Sequence, residues 1–154
     1  MATVNANTCA IYIDTAGGAF DADPADANAS TIDPVAFSTS ASISVTNSTF
    51  EATSISDPSN ATTVRDFAVG TTSTSLSFEG VLDWTVTADT VDVDKIFDAL
   101  LAKTKITAVW ASTDDNAEAY GGQGFLTSFE INSSVDDFAT YSGTVELDGD
   151  PKKV

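Results

Sequence analysis

From Gly121 to Ile131, and again from Val135 to Leu147, the chain reads as two long strands joined by a short acidic corner. In the second run Tyr141, Val145 and Leu147 fall on one parity, while Thr140, Ser142, Thr144, Glu146 and Asp148 fall on the other. Side chains alternate across a strand, so this run has one apolar face and one wet face. Such a pair must bury one side in a core and leave the other to solvent or to another chain. A register slip of one residue would exchange the two faces, which pins the pairing.

The same logic extends upstream. Ser73 to Thr87 places Leu76, Phe78, Leu82, Trp84 and Val86 on one face and Ser77, Glu79, Val81, Asp83, Thr85 and Thr87 on the other, with Gly80 where a bulge or bend is expected. Ala41 to Asn47 alternates around Ile43 and Val45 and is expected to form a hairpin with Thr49 to Ile55. Asp57-Pro58-Ser59-Asn60 then breaks the run, and a connection carries Arg65, Asp66 and Phe67 to Gly70. Thr8 to Ile13 reads as an opening strand ended by Gly17-Gly18, and Lys105 to Ala111 as a later one, with Ile106, Ala108 and Trp110 on one parity. Between them the period changes: Val93, Ile96, Phe97, Leu100 and Leu101 follow the stripe of a short amphipathic helix. Thr90 or Asp92 can cap its start, and Lys103 and Lys105 suit its end. The expected class is mainly β, with one short helix packed on the sheet.

The 154 residues fit one domain, 1–154. About a quarter of them are Ser or Thr, and Thr favours strands over helix interiors. The net charge of −17, with six basic residues and no histidine, argues against any site that grips phosphates through Arg or Lys. No stretch approaches the roughly 20 apolar residues of a membrane helix, and the N-terminus lacks a basic region followed by an apolar run. The chain therefore reads as a soluble product of the cytoplasm in which it is made, with no membrane contact.

A long loop is expected at 19–36, where Ala, Asp, Asn and Pro dominate from Ala19 to Pro34 and bulky apolar residues are scarce. Its Asp21, Asp23, Asp26 and Asn28 resemble a calcium loop in composition, but the glycine and terminal glutamate of the twelve-residue motif are missing. Asx-turn chemistry is the better reading of these residues. A short polar arm is expected at 149–154. Arg65, the one arginine, reads as an ion-pair anchor that reaches a carboxylate on a neighbouring subunit. Cys9 stands alone and reads as a small buried strand residue, since one thiol builds neither a disulfide nor a metal site.

Catalysis is hard to build from this inventory. Without histidine, and with one cysteine and one arginine, most nucleophile and base arrangements are excluded, and only carboxylates remain. Asp114-Asp115 and Asp136-Asp137 are adjacent pairs, but neighbours on a strand point to opposite faces, so they read as turn residues. Gly121-Gly122-Gln123-Gly124 enters a strand and not a helix, so it is not a phosphate cradle; it suits close backbone approach. No enzyme activity, cofactor or metal is expected.

The order of elements has a counterpart. Hairpin, loop, long bent strand with Phe78-Glu79-Gly80, helix from Val93 to Lys103, strand at Lys105 to Trp110, then Gly124 to Ile131 and Ala139-Thr140-Tyr141-Ser142, resembles the major tail tube proteins of long-tailed, non-contractile (siphovirus-type) bacteriophages from about Ser38 to Gly149. The long loop and the shortage of Lys and Arg depart from that pattern. The resemblance leaves open a principal tube protein or a tail terminator. It implies an antiparallel β-sandwich or half-barrel with one flanking α-helix, and a virion structural protein of the tail, assembled in the host bacterial cytoplasm. Its partners would be copies of itself in stacked hexameric rings and other phage tail proteins, with DNA passing through without specific binding during genome ejection.

The charge agrees with a conduit. Duplex DNA carries roughly one negative charge per 1.7 Å of axis, so a basic wall would hold it and an acidic wall lets it slide. The wet parities offer Glu51, Glu79, Asp83, Glu130 and Glu146 as candidates to face such a lumen. The competing class is an extracellular acidic β-domain, of adhesin or surface-layer type, that binds calcium through its acidic loops.

Overall fold

The computed structural model describes residues 9–15, 33–35, 38–57, 62–82, 91–112, 119–135 and 137–153. Its strands are β1 (Cys9–Asp14), β2 (Asp33–Pro34), β3 (Ser38–Asp57), β4 (Thr62–Val81), β5 (Lys105–Ser112), β6 (Tyr120–Asn132), β7 (Thr140–Leu147) and β8 (Lys152–Lys153), with one helix, α1 (Val93–Ala102), between β4 and β5. They form a single eight-stranded sheet in the order β2-β1-β5-β6-β7-β4-β3, with β8 beside β6, and the pairings are antiparallel. The sheet curls far enough to bring β1 against β3, two strands that are not hydrogen-bonded neighbours. The result is a half-barrel with one helix, and its mainly β character with a single short helix is what the periodicity predicts.

One face of the curl holds the core. Ile11 and Ile13 from β1, Ile106 and Ala108 from β5, Leu126 from β6, Tyr141 and Val145 from β7, and Leu76 and Phe78 from β4 are all buried and in one cluster. These are the parities read from the sequence for β4, β5 and β7. Phe78, Tyr141 and Phe129 meet here, with ring centroids 6.3 Å apart for Phe78–Tyr141 and 6.1 Å for Phe129–Tyr141. Gly143 lies opposite both Phe78 and Phe129, and a Cβ on it would run into the Phe78 ring. The expected bend at Gly80 is also present: the β3–β4 register shifts between Ser38, opposite Gly80, and Ser40, opposite Glu79.

The helix has a narrower buried side than its sequence stripe. Asp92 caps it, accepting a 2.8 Å hydrogen bond from the Lys95 amide, and Lys103 ends it in the left-handed conformation with φ 52°. Val93, Ile96 and Ala99 are buried and Leu100 half-buried, but Phe97 and Leu101 are exposed. The helix packs on the sheet along one line, chiefly over β6, and a stripe as wide as the predicted one cannot all reach a single contact line.

The expected hairpin within 41–55 is replaced by a longer one. β3 runs unbroken through Asn47-Ser48 and pairs with β4 from Ser38↔Gly80 to Asp57↔Thr62, so the stretch through Arg65 to Gly70, expected as a connection, is strand. The register shifts between Asn47 and Thr49, and the Ser48 hydroxyl accepts from the Thr71 amide at 2.8 Å while Asn47 Oδ1 accepts from the Thr72 hydroxyl at 2.8 Å. Polar side chains that could have closed a turn instead satisfy an irregularity inside a long ladder. β4 ends at Val81, short of the expected Thr87, and Asp83, Trp84 and Val86 lie outside the described residues. Most of the loop at 19–36, with its Asp21, Asp23, Asp26 and Asn28, lies outside them as well, although Asp33–Pro34 pairs with β1 and Val35 is buried. In the C-terminal arm Lys152 and Lys153 pair with Gly121 and Tyr120.

Candidate functional site

The other face of β3, β4, β7 and β6 is polar, and its cross-strand rows define the site. Ser40 lies opposite Glu79, Glu79 opposite Ser142, and Ser142 opposite Glu130. In the next row Ser42, Ser77, Thr144 and Ser128 follow one another, with Ser77 Oγ and Thr144 Oγ1 3.5 Å apart. The third row is Ser44, Ser75, Glu146, Phe125 and Lys105. Glu79, Glu130 and Glu146 are all exposed on this face, among short hydroxyl side chains and one bulky apolar residue, Phe125.

Glu130 reaches this face through a device that parity alone misses. Leu126 and Glu130 are four residues apart, so an unbroken strand would put both on the core side. Instead the register shifts between Leu126, opposite Val145, and Ser128, opposite Thr144. Thr127 is the extra residue, and its hydroxyl donates to the Thr144 carbonyl at 3.1 Å. The bulge returns Phe129 and Ile131 to the core side, opposite Gly143 and Tyr141, and turns Glu130 out. β6 is threaded closely elsewhere too: a Cβ at Gly124 would strike the Glu146 carbonyl.

A single cation borders the third row. Lys105 Nζ makes a 2.7 Å ion pair with Asp148 Oδ2 and stands 6.0 Å from the Phe125 ring centre. The lysine holds the Asp148 carboxyl below its ordinary pKa, first by its hydrogen bond and then by its charge. Both partners are substantially exposed, so solvent screens the pair.

Of the residues selected from sequence, the fold thus gathers Glu79, Glu130 and Glu146. Glu51 is exposed on the far part of the β3–β4 hairpin opposite Phe67, beyond the Asn47/Thr49 irregularity. Arg65 stands still further out, opposite Thr53. Cys9 is in β1 as expected but only half-buried, since it opens the strand. Among the described residues no group of three or more His, Cys, Asp or Glu side chains could hold a metal ion.

The four-stranded region also has two open edges. Pairing of β5 with β6 ends at Lys105↔Phe125, so among the described residues no strand lies beside β6 from Leu126 to Asn132 on that side. At the opposite edge β3 is the last strand of the order.

A family model for phage tail tube proteins matches residues 20–153. The chain belongs to the phage tail tube protein family. It is a structural tail-tube protein, and solved relatives share its fold at low sequence identity. The tail of an empty gene transfer agent particle, a structure with C6 symmetry, superposes with a TM-score of 0.68 at 17% identity, covering 99% of each chain. The SPP1 tail tube gives 0.65 at 12% identity over 98% of this chain and 78% of that one. The baseplate of the anti-feeding prophage, six-fold symmetrised, gives 0.59 at 10% identity over 100% of this chain and 96% of that one. No curated protein is a sequence match to the chain.

Proposed function

We propose that this chain is one unit, 1–154, that joins five copies of itself in a ring, with the polar face of β3, β4, β7 and β6 turned toward the bore and DNA moving through it during genome ejection. The observation that carries this reading is the convergence of Glu79, Glu130 and Glu146 on the hydroxyl-lined face of a sheet segment whose two edges are open. Long open edges are a hazard unless another chain covers them. The segment has an even number of antiparallel strands, so β3 of one copy meets β6 of the next in the antiparallel sense. Side-by-side addition therefore continues the sheet, and the C6 symmetry of the gene transfer agent tail supports six copies.

The dimensions suit a duplex. Four strands spaced about 4.8 Å apart give about 19 Å of wall per copy, so six copies make a backbone circle about 37 Å across. Short Ser and Thr side chains narrow that circle little. An acidic wall of this kind repels phosphates, and the cation that borders its rows, Lys105, is paired with Asp148. Asp83 and Glu51 extend the same charge along the axis, and Arg65 serves a contact between subunits. Assembly takes place in the host bacterial cytoplasm, and the subunit performs no catalysis and carries no cofactor. Electron microscopy of the purified protein tests the ring directly: annular particles or tubes are expected, and a monomer under conditions in which tails persist overturns it.

A further inference from the structure

We infer that Asp148 guards the bore: its carboxylate occupies Lys105 in the place a DNA phosphate would take, and so keeps the polar face from gripping the duplex. The inference rests on the reading of that face as the bore. Lys105 opens β5 opposite Phe125, and Phe125 lies opposite Glu146 of β7, so the lysine belongs to the same face as the carboxylates. Its side chain reaches across β6, stands 6.0 Å from the Phe125 ring centre and meets Asp148 Oδ2 at 2.7 Å. Phe125 is 44% exposed. A free ammonium beside an exposed aromatic ring is a combination with which nucleic-acid channels hold a strand. Here a carboxylate already fills the anion's position.

The backbone sets both partners in place. The chain enters Lys105 directly from the end of α1, where the Lys103 and Thr104 amides donate to the Leu100 and Ala99 carbonyls, each at 3.2 Å. Asp148 is tied through its own amide, which donates to the Gln123 carbonyl at 2.7 Å. The chain then turns at Gly149, whose φ of 102° suits glycine. The lysine in turn lowers the Asp148 pKa, first by its hydrogen bond and then by its charge, so the guard is ionised at neutral pH.

Stability does not account for the arrangement. Both side chains are substantially exposed, and an exposed ion pair adds little to folding. Its effect on a passing polyanion is larger. Paired, the lysine presents almost no net charge to phosphate. Unpaired, it adds one phosphate contact per copy, repeated at one level around the ring.

Ejection kinetics test the assignment. Particles carry Asp148→Asn, Lys105→Gln or both, with the pair Glu79→Lys and Glu130→Lys as comparison, and each chain is checked by circular dichroism and electron microscopy of its tubes. Asp148→Asn is expected to slow ejection about threefold or more at about 50 mM salt and to recover toward about 200 mM, because a phosphate contact weakens as salt rises. Lys105→Gln and the double variant should eject at the unsubstituted rate, although they too lack the ion pair. Normal ejection from Asp148→Asn particles overturns the inference and leaves the bore reading standing if the comparison variant is slowed. Slowing that Lys105→Gln does not remove, or tubes lost in Asp148→Asn, makes the pair structural and overturns the inference alone. Normal ejection from the comparison variant at the lower salt overturns both.

Discussion

Glu79 and Glu130 occupy one cross-strand row, each opposite Ser142, although by residue number Glu79 alternates with the core residue Phe78 while Glu130 shares the parity of the core residue Leu126. Phe78 and Leu126 are buried while Glu79 and Glu130 are exposed, one by simple alternation and the other through the bulge at Thr127. Two strand spacings separate the carboxylates by about 10 Å, so they act as a band of charge and not as a coordinating pair.

Reversing that band changes passage without changing the fold. Glu79→Lys with Glu130→Lys is expected to alter stability by less than about 0.5 kcal/mol, as exposed substitutions do. Tubes still form, but each new cation adds a phosphate contact. Genome ejection from particles carrying the double variant is slower at about 50 mM salt and recovers toward about 200 mM. Normal ejection at the lower salt removes the lumen assignment.

Phe78 needs the space that Gly143 leaves. Gly143→Ala drives a methyl group into the ring, and overpacking of this kind costs about 1–3 kcal/mol. Urea unfolding should show that loss. Phe78→Leu in the same chain should recover part of it, because the two positions share one contact.

The helix cap gives a smaller, local effect. Asp92→Ala removes the acceptor for the Lys95 amide and is expected to cost about 1 kcal/mol, whereas Asp92→Asn or Asp92→Ser retains most of the stability. Thermal unfolding followed by circular dichroism separates the variants.

Strand periodicity carried most of the architecture because burial and alternation agree on β4 and β7, where Leu76 and Phe78, Tyr141 and Val145 are buried; in β5 both faces are covered, Thr107 and Val109 as well as Ile106 and Ala108. The α1 boundaries followed from Asp92 and from the change of period at Val93. What the sequence hid was pairing. Asn47-Ser48 has the composition of a turn, and only the partner strand, with Thr71 and Thr72 in reach, turns it into an irregularity within one long strand. The bulge at Thr127 is equally silent, since its cause is a register against β7 that no local signal encodes. Phe97 and Leu101 read as core because periodicity reports apolar character and not which side of a helix finds a partner. Glu79, Glu130 and Glu146 were therefore individually visible, but their common face was not.

Alkaline pH probes the aromatic cluster. Burial pushes the Tyr141 hydroxyl up from 10.0 to about 12, so the folded state holds its proton where the unfolded chain releases it. The sign follows: this contribution to stability is intact below pH 10 and is lost as pH rises toward 12. Tyr141→Phe should flatten the stability profile over that interval. An unchanged slope would show that other groups govern alkaline unfolding.

Electron cryo-microscopy of tubes assembled from the purified chain tests the central claim most directly. The account predicts six sheets closed edge to edge, β3 against the next copy's β6, with the carboxylates of Glu79, Glu130 and Glu146 toward the bore. A tube in which those three carboxylates face the outside, or in which the polar face of β3, β4, β7 and β6 is buried between subunits, contradicts it.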